Sequence, residues 1–260
     1  MRLDFEKYQG TGNDFIMLDN RNGLFNVSDL PITYLCDRRF GIGADGVIVI
    51  ENHQELDFHM IYFNPDRSQS FCGNGSRCAV AFAKSLGIIG DETNFLSTDG
   101  AHFAKIVDGL VELKMNDVQT FIEQDNTYVI NTGSPHYISF VPAVDAVDIV
   151  PSAHAIRYNE QYKQDGINVN FIEKLDSGMK IRTYERGVEA ETLSCGTGVT
   201  AAALANFLSE DQQGVSHTTT VTSKGGTLSV RFSHNATGFH DIYLVGPAKK
   251  TFEGHIEVTQ

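Results

Sequence analysis

The chain has 260 residues, 41% hydrophobic and 20% charged, which suits one or two domains with a real core and excludes a disordered or fibrous chain. Lys and Arg number 20 against 33 Asp and Glu, a formal charge of −13, the wrong sign for a general nucleic-acid binder or an anionic membrane surface; a small-molecule ligand is expected, with no nucleic acid and no membrane. Charges interrupt the opening MRLDFEKYQG where an export signal needs an apolar run, and no stretch approaches the roughly 18 apolar residues of a spanning helix, so a cytoplasmic location is expected.

In chain order, Ser28 suits the cap of a helix running to about Arg39, stopped by Gly41, with Pro31 tolerated in its first turn. Val47–Ile50 reads as a short buried strand and Asp57–Phe63 as a strand with apolar groups on both faces. A helix follows Phe71-Cys72-Gly73-Asn74-Gly75 and runs toward Leu86, with Gly87 as its stop. Phe103–Val107 and Leu110–Met115 form a hairpin across Asp108-Gly109. A second Ala-rich helix follows Ser194-Cys195-Gly196-Thr197-Gly198 toward Leu208, and Thr227–Phe232 with Asp241–Val245 makes a second hairpin through Asn235–Gly238. The mixture is α+β, with antiparallel sheets around a few helices.

Both helices follow a Cys-Gly-x-Gly, and the offset, 195 − 72 = 123 residues, is near half of 260, which suggests one unit used twice. A cut after the first hairpin, near Asn116–Thr120, separates residues 1–117, carrying Cys72, from residues 118–250, carrying Cys195. The four cysteines show no C-x-x-C spacing, so no metal is expected, and without an export signal the thiols are expected to be reduced. Cys36 and Cys78 read as structural. A free thiol has a pKa of about 8.5, which a helix N-terminus lowers to roughly 3.5–7.5. The glycines let a ligand approach the backbone and leave N–H groups for a carboxylate or developing oxyanion.

A single Cys-Gly-x-Gly would read as a tight turn beside a small buried residue. Two of them, paired by a pseudo-twofold, would bring two thiols to opposite faces of one carbon, the geometry that inverts a stereocentre. Positioned acid–base catalysis supplies roughly 3–5 kcal/mol of barrier and each well-placed oxyanion donor about 3–4 kcal/mol, so converging helix ends and a cleft that closes against water are expected as well.

Phe71–Cys78 and Glu191–Gly198 closely resemble the two cysteine motifs of the diaminopimelate epimerase family. The likeness extends through Gly10-Thr11-Gly12-Asn13-Asp14-Phe15, Arg39–Gly46, Tyr62-Phe63-Asn64, Gly133-Ser134-Pro135-His136, Asn168 within Gly166–Phe171, and Tyr184-Glu185-Arg186-Gly187. Ordered agreement over so many separated motifs makes the resemblance specific. It implies cofactor-independent two-base epimerisation of LL-2,6-diaminopimelate to meso-diaminopimelate, in lysine biosynthesis, by an isomerase that needs no cofactor and no metal. It implies two pseudo-symmetric domains, each a barrel-like, mainly antiparallel sheet around a central helix, with residues 251–260 returning to the first. Members are often homodimers, which no feature of this sequence decides.

Carried over, the resemblance makes Cys72 and Cys195 the acid–base pair, with His136 and Glu185 beside them holding protonation and orientation. Backbone N–H groups of Gly73, Asn74, Gly196 and Thr197 would hold the α-carboxylate, and Asn13, Asn64, Asn168, Glu185 and Arg186 the rest of the substrate. Taken one at a time, Asn13 and Asn64 also suit turns, His136 a loop histidine and Glu185-Arg186 a surface ion pair; the ordered series selects the functional reading. The sequence departs from the family at Ser134, where many members have asparagine, at Gly46, where some have a polar residue, and in Arg186–Thr192, one residue longer than the common form. Three rivals predict otherwise: a proline-type racemase would have no use for Arg186, a thiol hydrolase would form an acyl-enzyme without Cys195, and a binding protein would show no activity to lose.

Overall fold

A computed structural model describes residues 1–210 and 216–258. Its strands in chain order are β1 (Arg2–Gly10), β2 (Asn13–Asp19), β3 (Gly46–Glu51), β4 (Phe58–Phe63), β5 (Glu92–Ser97), β6 (Gly100–Val107), β7 (Leu110–Lys114), β8 (Phe121–Gln124), β9 (Thr127–Asn131), β10 (Pro135–Phe140), β11 (Asn168–Lys174), β12 (Met179–Glu185), β13 (Ala190–Thr192), β14 (Ser216–Ser223), β15 (Gly226–Asn235), β16 (Gly238–Gly246) and β17 (Lys249–Glu257). The α-helices are α1 (Ile32–Cys36), α2 (Gly73–Ser85), α3 (Ile149–Arg157) and α4 (Gly196–Ser209). The class is α+β with a mainly antiparallel sheet, as expected. No helix among the described residues is long and apolar enough to cross a membrane.

The chain divides into two units, Met1–Leu113 with Gly246–Gln260, and Lys114–Val245. In the first unit the neighbours run β17–β1–β2–β3–β4–β5–β6–β7, antiparallel except for the parallel pairs β2–β3 and β4–β5. In the second they run β8–β9–β10–β11–β12–β14–β15–β16, antiparallel except for β10–β11 and β12–β14, with β13 added beside β12. The two units therefore repeat one topology, the same pair types in the same order. Parallel neighbours need a crossover; α1 and α3 serve the first parallel pair of each unit, α2 and α4 the second.

Each long helix is enclosed by its own sheet. α2 packs against β1, β2, β3, β4 and β17, and α4 against β9, β10, β11, β12, β14 and β15. Residues 73–80 of α2 and 196–207 of α4 are buried without interruption, the pattern of a helix with no solvent face. α4 meets this demand with small side chains, Ala201, Ala202, Ala203 and Ala205, which let strands approach on every side. β3 is covered on both faces, by α2 and by a cluster of Leu30, Ile32 and Leu35 that packs on Val47 and Val49, which accounts for its uninterrupted apolar run.

Local chemistry fixes most element ends. Asp108 and Gly109 have φ of +51° and +77°, the two positive values that a type I′ hairpin requires. Gly87, at φ +70°, donates its N–H to Lys84 O (3.0 Å), while Ile88 donates to Ala83 O (3.0 Å), a Schellman stop for α2. The second hairpin is longer than its apolar alternation showed, Gly226–Asn235 with Gly238–Gly246.

The helix expected from Ser28 to Arg39 is broken. A 3₁₀ turn, Val27–Asp29, is capped by Asn26, whose Oδ1 accepts from Ser28 N (3.2 Å), and α1 starts only after Pro31. It ends at Cys36 because the Asp37 carboxylate accepts from Arg39 N (2.7 Å) and Phe40 N (2.8 Å), a local turn that competes with helix. Gly41 is obligatory there, since a Cβ would stand 1.9 Å from Tyr34 O.

Gly46 also has no room for a side chain. Its Cβ would lie 2.4 Å from the Tyr62 ring and 2.7 Å from Phe63 O, so this chain fills with Tyr62 the space that a polar residue would need. Gly46→Ala is expected to lower the unfolding free energy by about 1–3 kcal/mol through overpacking, read as a lower urea midpoint at unchanged m-value.

Candidate active site

Cys72 is the N-cap of α2, in extended backbone (φ −136°, ψ 108°), and its Sγ accepts from Gly75 N–H (3.3 Å). The thiol lies 3.7 Å from Asn13 Oδ1, which also accepts from Asn74 Nδ2 (3.3 Å). Asn13 Nδ2 donates to Asp45 Oδ2 (2.7 Å), fixing the amide so that its oxygen faces the sulfur. The loop carrying Asp45 is held by charge. Arg38 binds Asp14 with both terminal nitrogens (3.0 and 2.7 Å) and reaches Asp45 (2.8 Å), while Lys7 lies 2.8 Å from Asp14 and donates to Gly43 O. Burial raises the Asp14 pKa, but the hydrogen bonds from Arg38 and Lys7 outweigh it and hold the carboxyl down at about 2.

Cys195 caps α4 in the same backbone region (φ −117°, ψ 110°) and is buried. Its Sγ lies 3.4 Å from Thr197 Oγ1, which lies 2.8 Å from His136 Nε2. His136 is completely buried, and burial pushes its pKa down to about 3. The ring is therefore neutral, and Asn170 decides its tautomer. Asn170 Nδ2 lies 3.1 Å from both Tyr137 O and His136 Nδ1, and Thr183 Oγ1 donates to Asn170 Oδ1 (2.9 Å). An amide nitrogen only donates, so Nδ1 accepts and Nε2 carries the proton. Nε2–H then donates to Thr197, leaving the hydroxyl proton for Cys195. Thr132 Oγ1 donates to Thr197 O (2.8 Å), tying the first turn of α4 to the strand end.

Arg186, Asn168 and Ser134 form one group. Asn168 Nδ2 donates to Ser134 Oγ (2.8 Å) and Pro135 O (3.0 Å), and Asn168 Oδ1 accepts from Arg186 N (2.9 Å). The exposed guanidinium donates to Asp165 O (2.9 Å) and approaches Ser134 Oγ (3.5 Å). Glu185 is half-buried at the end of β12, directly before Arg186. The longer segment after it is pinned by Glu189, at φ +55°, which accepts from Arg157 Nη2 (3.0 Å) and Tyr158 OH (2.9 Å). Asn64 Oδ1 accepts from Tyr62 OH (2.9 Å), and its Nδ2 donates to Ser68 Oγ (3.0 Å) and Ser70 Oγ (3.2 Å), so the side chain shapes the loop entering Cys72.

Within the first unit the structure gathers Cys72, Gly73, Asn74 and Asn13. Within the second it gathers Cys195, Gly196, Thr197 and His136, and links Asn168 with Arg186. The backbone register of the two units aligns Phe15 with His136 and Ile48 with Asn170. A Cβ at Gly75 would meet Ile48 and Phe15, whereas one at Gly198 would meet Asn170 Oδ1 (2.6 Å) and His136. The floor under the first helix start is thus apolar, and the floor under the second is a neutral polar pair. Sequence reasoning missed Asn170, Thr183, Thr132 and Arg77; the spacing Asn168-Val169-Asn170, two polar residues on one face of a buried strand, was the available signal for the first of these. Cys36 and Cys78 are held by burial at about 11 and about 12, well above the range of a working base. Among the described residues no group of His, Cys, Asp and Glu suits a metal ion.

The sequence model of the diaminopimelate epimerase family matches residues 5–122 and 128–251. A relative named diaminopimelate epimerase from Flavobacterium psychrophilum is 47% identical over 251 residues, 95% of this chain and 97% of its own. One of the same name from Chlorobaculum tepidum is 40% identical over 260 residues, 95% and 98% of the two chains. Among solved structures, a phenazine biosynthesis protein of the PhzF family from Bacillus anthracis has a TM-score of 0.79 at 13% identity, covering 99% of this chain and 100% of that one. A probable proline racemase from Agrobacterium radiobacter has a TM-score of 0.69 at 14% identity, covering 99% and 93%. The two structures share the fold alone; on the family model and the full-length relatives, the chain belongs to the diaminopimelate epimerase family.

Proposed function

We propose that Cys72 and Cys195 are the two bases of a stereochemical inversion, one removing the α-proton of diaminopimelate and the other returning a proton on the opposite face. The chain is an isomerase of lysine biosynthesis with diaminopimelate epimerase activity. The observation that supports the two-base reading is the placement of both thiols at N-caps of enclosed helices at equivalent points of one repeated topology. LL-2,6-diaminopimelate becomes the meso form, and reversal exchanges the protonation states of the thiols. No cofactor and no metal takes part. All four cysteines are free thiols, which fits a cytoplasmic enzyme.

The chemistry follows from the surroundings. First-turn N–H groups of Gly73, Asn74, Gly196 and Thr197 hold the α-carboxylate and the charge that develops on it as the proton leaves. Asn13 receives the Cys72 proton side, and Thr197 donates to the Cys195 sulfur. His136 acts through Thr197 and stays neutral, so it orients a hydroxyl and exchanges no proton itself. Glu185 stands with it in holding thiol protonation. Arg186 takes the distal carboxylate as a planar fork, aimed by Asn168, and Asn64 and Glu185 line the distal amino acid.

In heavy water with LL-diaminopimelate and no additive, deuterium is expected at one α-carbon with inversion, followed by NMR and polarimetry. Cys72→Ala and Cys195→Ala are each expected to abolish inversion in a folded protein; an acyl-enzyme burst that survives Cys195→Ala would instead support a thiol hydrolase. Loss of one charge-assisted carboxylate contact, at about 1.5–3 kcal/mol, predicts that Arg186→Met lowers kcat/KM for diaminopimelate roughly 10- to 100-fold.

His136 supplies a further expectation. Its folded pKa of about 3 lies below the unfolded value of about 6.5, so the unfolded chain takes the proton first. Stability through this group is intact above the unfolded value and falls by up to about 1.4 kcal/mol per pH unit as acid carries the protein from there toward the folded value. His136→Gln should show a flatter decline over that window in urea titrations.

A further inference from the structure

Arg77, on α2 one turn beyond Gly73, is completely buried. Its Nη2 donates to Asn74 Oδ1 (2.9 Å) and reaches Thr11 Oγ1 (3.5 Å), its Nη1 approaches Gly73 O (3.4 Å), and its Nε has no partner. No carboxylate is among these contacts, although an enclosed cation without a counter-ion is costly. Of the acids on the strands packed around α2 and in the loop before β3, Asp4 lies 3.1 Å from Arg2, Glu6 2.8 Å from Lys250, Asp14 2.8 and 2.7 Å from Lys7 and Arg38, Asp19 2.7 Å from Arg21 and Asp45 2.8 Å from Arg38, while Glu51 accepts from Asn20 (2.7 Å), Glu253 pairs with Lys250 and Glu257 is exposed. The groups able to offer Arg77 a negative charge are the thiols of Cys72 and Cys78. Cys78 is completely buried and stays protonated, which leaves Cys72. Burial brings the guanidinium down to about 10, still charged at neutral pH.

A structural role would not need that charge. Counting from the two catalytic thiols, the counterpart of Arg77 in α4 is Thr200, a buried neutral residue whose hydroxyl donates to Gly196 O (3.0 Å). A hydroxyl therefore satisfies in α4 the carbonyl that Arg77 approaches in α2. What the first unit adds is a cation: Arg77 Nη2 donates to Asn74 Oδ1 (2.9 Å) and Asn74 Nδ2 to Asn13 Oδ1 (3.3 Å), and since Asn13 Oδ1 accepts from the Cys72 thiol (3.7 Å), the cation acts on the thiolate through its charge and not along this chain.

We propose that Arg77 is the buried counter-ion of the Cys72 thiolate, a positioning residue whose uncompensated charge is neutralised when Cys72 gives up its proton. The proposal rests on Cys72 being an acid–base group of the reaction. The second thiol is reached by a dipolar chain from Asn170 through His136 and Thr197.

The test uses the full chain in a Cys195→Ala background, with iodoacetamide alkylation of the Cys72 peptide followed by mass spectrometry across pH. Arg77→Met is expected to move the midpoint up by about one unit or more, a loss of roughly tenfold in thiolate below both midpoints. Arg77→Lys, which keeps the charge, is expected to stay within about half a unit of the parent. An unchanged midpoint in folded Arg77→Met overturns the proposal. Should Arg77→Met fail to fold, Cys72→Asp and Cys72→Asn decide with Arg77 intact, because both are good N-caps and differ in charge. The Asp form should melt higher near neutral pH and lose that advantage as acid protonates it; an Asp form melting at or below the Asn form overturns the proposal. None of these readouts needs turnover, so their failure is distinct from failure of the acid–base reading, which would show as epimerisation surviving Cys72→Ala.

Discussion

A helix whose first turn is buried must put its unsatisfied N–H groups somewhere, and in this protein that requirement governs both units. Each sheet wraps one helix so completely that the first turn cannot reach bulk water in the ordinary way. Such an end must be answered by side chains or by a ligand. Here the cap residue is a cysteine, a poor hydrogen-bond acceptor as a thiol and a much better one as a thiolate. N–H groups at a helix start favour a thiolate over a thiol, and the same groups can hold a carboxylate. The second glycine of each segment is also held by contact: a Cβ at Gly198 would stand 2.6 Å from Asn170 Oδ1, and one at Gly75 would press on Ile48 at 3.1 Å and Phe15 at 3.4 Å.

One topology used twice has not produced two identical sites. Where the first unit has Phe15, Ile48 and Arg77, the second has His136, Asn170 and Thr200. The apolar floor goes with a cation on the helix, and the polar floor goes with a neutral helix. A buried site tolerates only as many uncompensated polar groups as it can pair, so a change on the strand is matched by one on the helix. The Cys-Gly-x-Gly turn is kept in both units while the layer behind it diverges. That division gives the two thiols different electrostatic surroundings although the backbone around them is nearly the same.

Much of this was legible in the sequence because it depends on local, repeated signals. The two Cys-Gly-x-Gly segments, the Ala-rich run from Ala201 to Ala205, the Asp108-Gly109 turn and the Gly87 stop all act within a few residues, and each is found where it was read. The family resemblance supplied Asn13, Asn64, Asn168, His136 and Arg186, and the structure gives each a set of partners. What escaped were residues whose meaning is set by chain-distant neighbours. Asn170 is unremarkable until Tyr137 O and His136 face it across a parallel pair. Arg77 reads as one more helix charge until burial removes every carboxylate from its reach. The helix expected from Ser28 failed for a related reason: Asp37 offered its own backbone a competing turn, and Arg38 was drawn away to Asp14 and Asp45, neither of which a local propensity can report.

The strand that borders β1 comes from the far end of the chain, residues 249–257, whereas the second unit is built from one uninterrupted segment. During synthesis the second unit has all its strands before the first does. The first cysteine helix is thus enclosed on one side by a strand that follows the whole second unit in the chain.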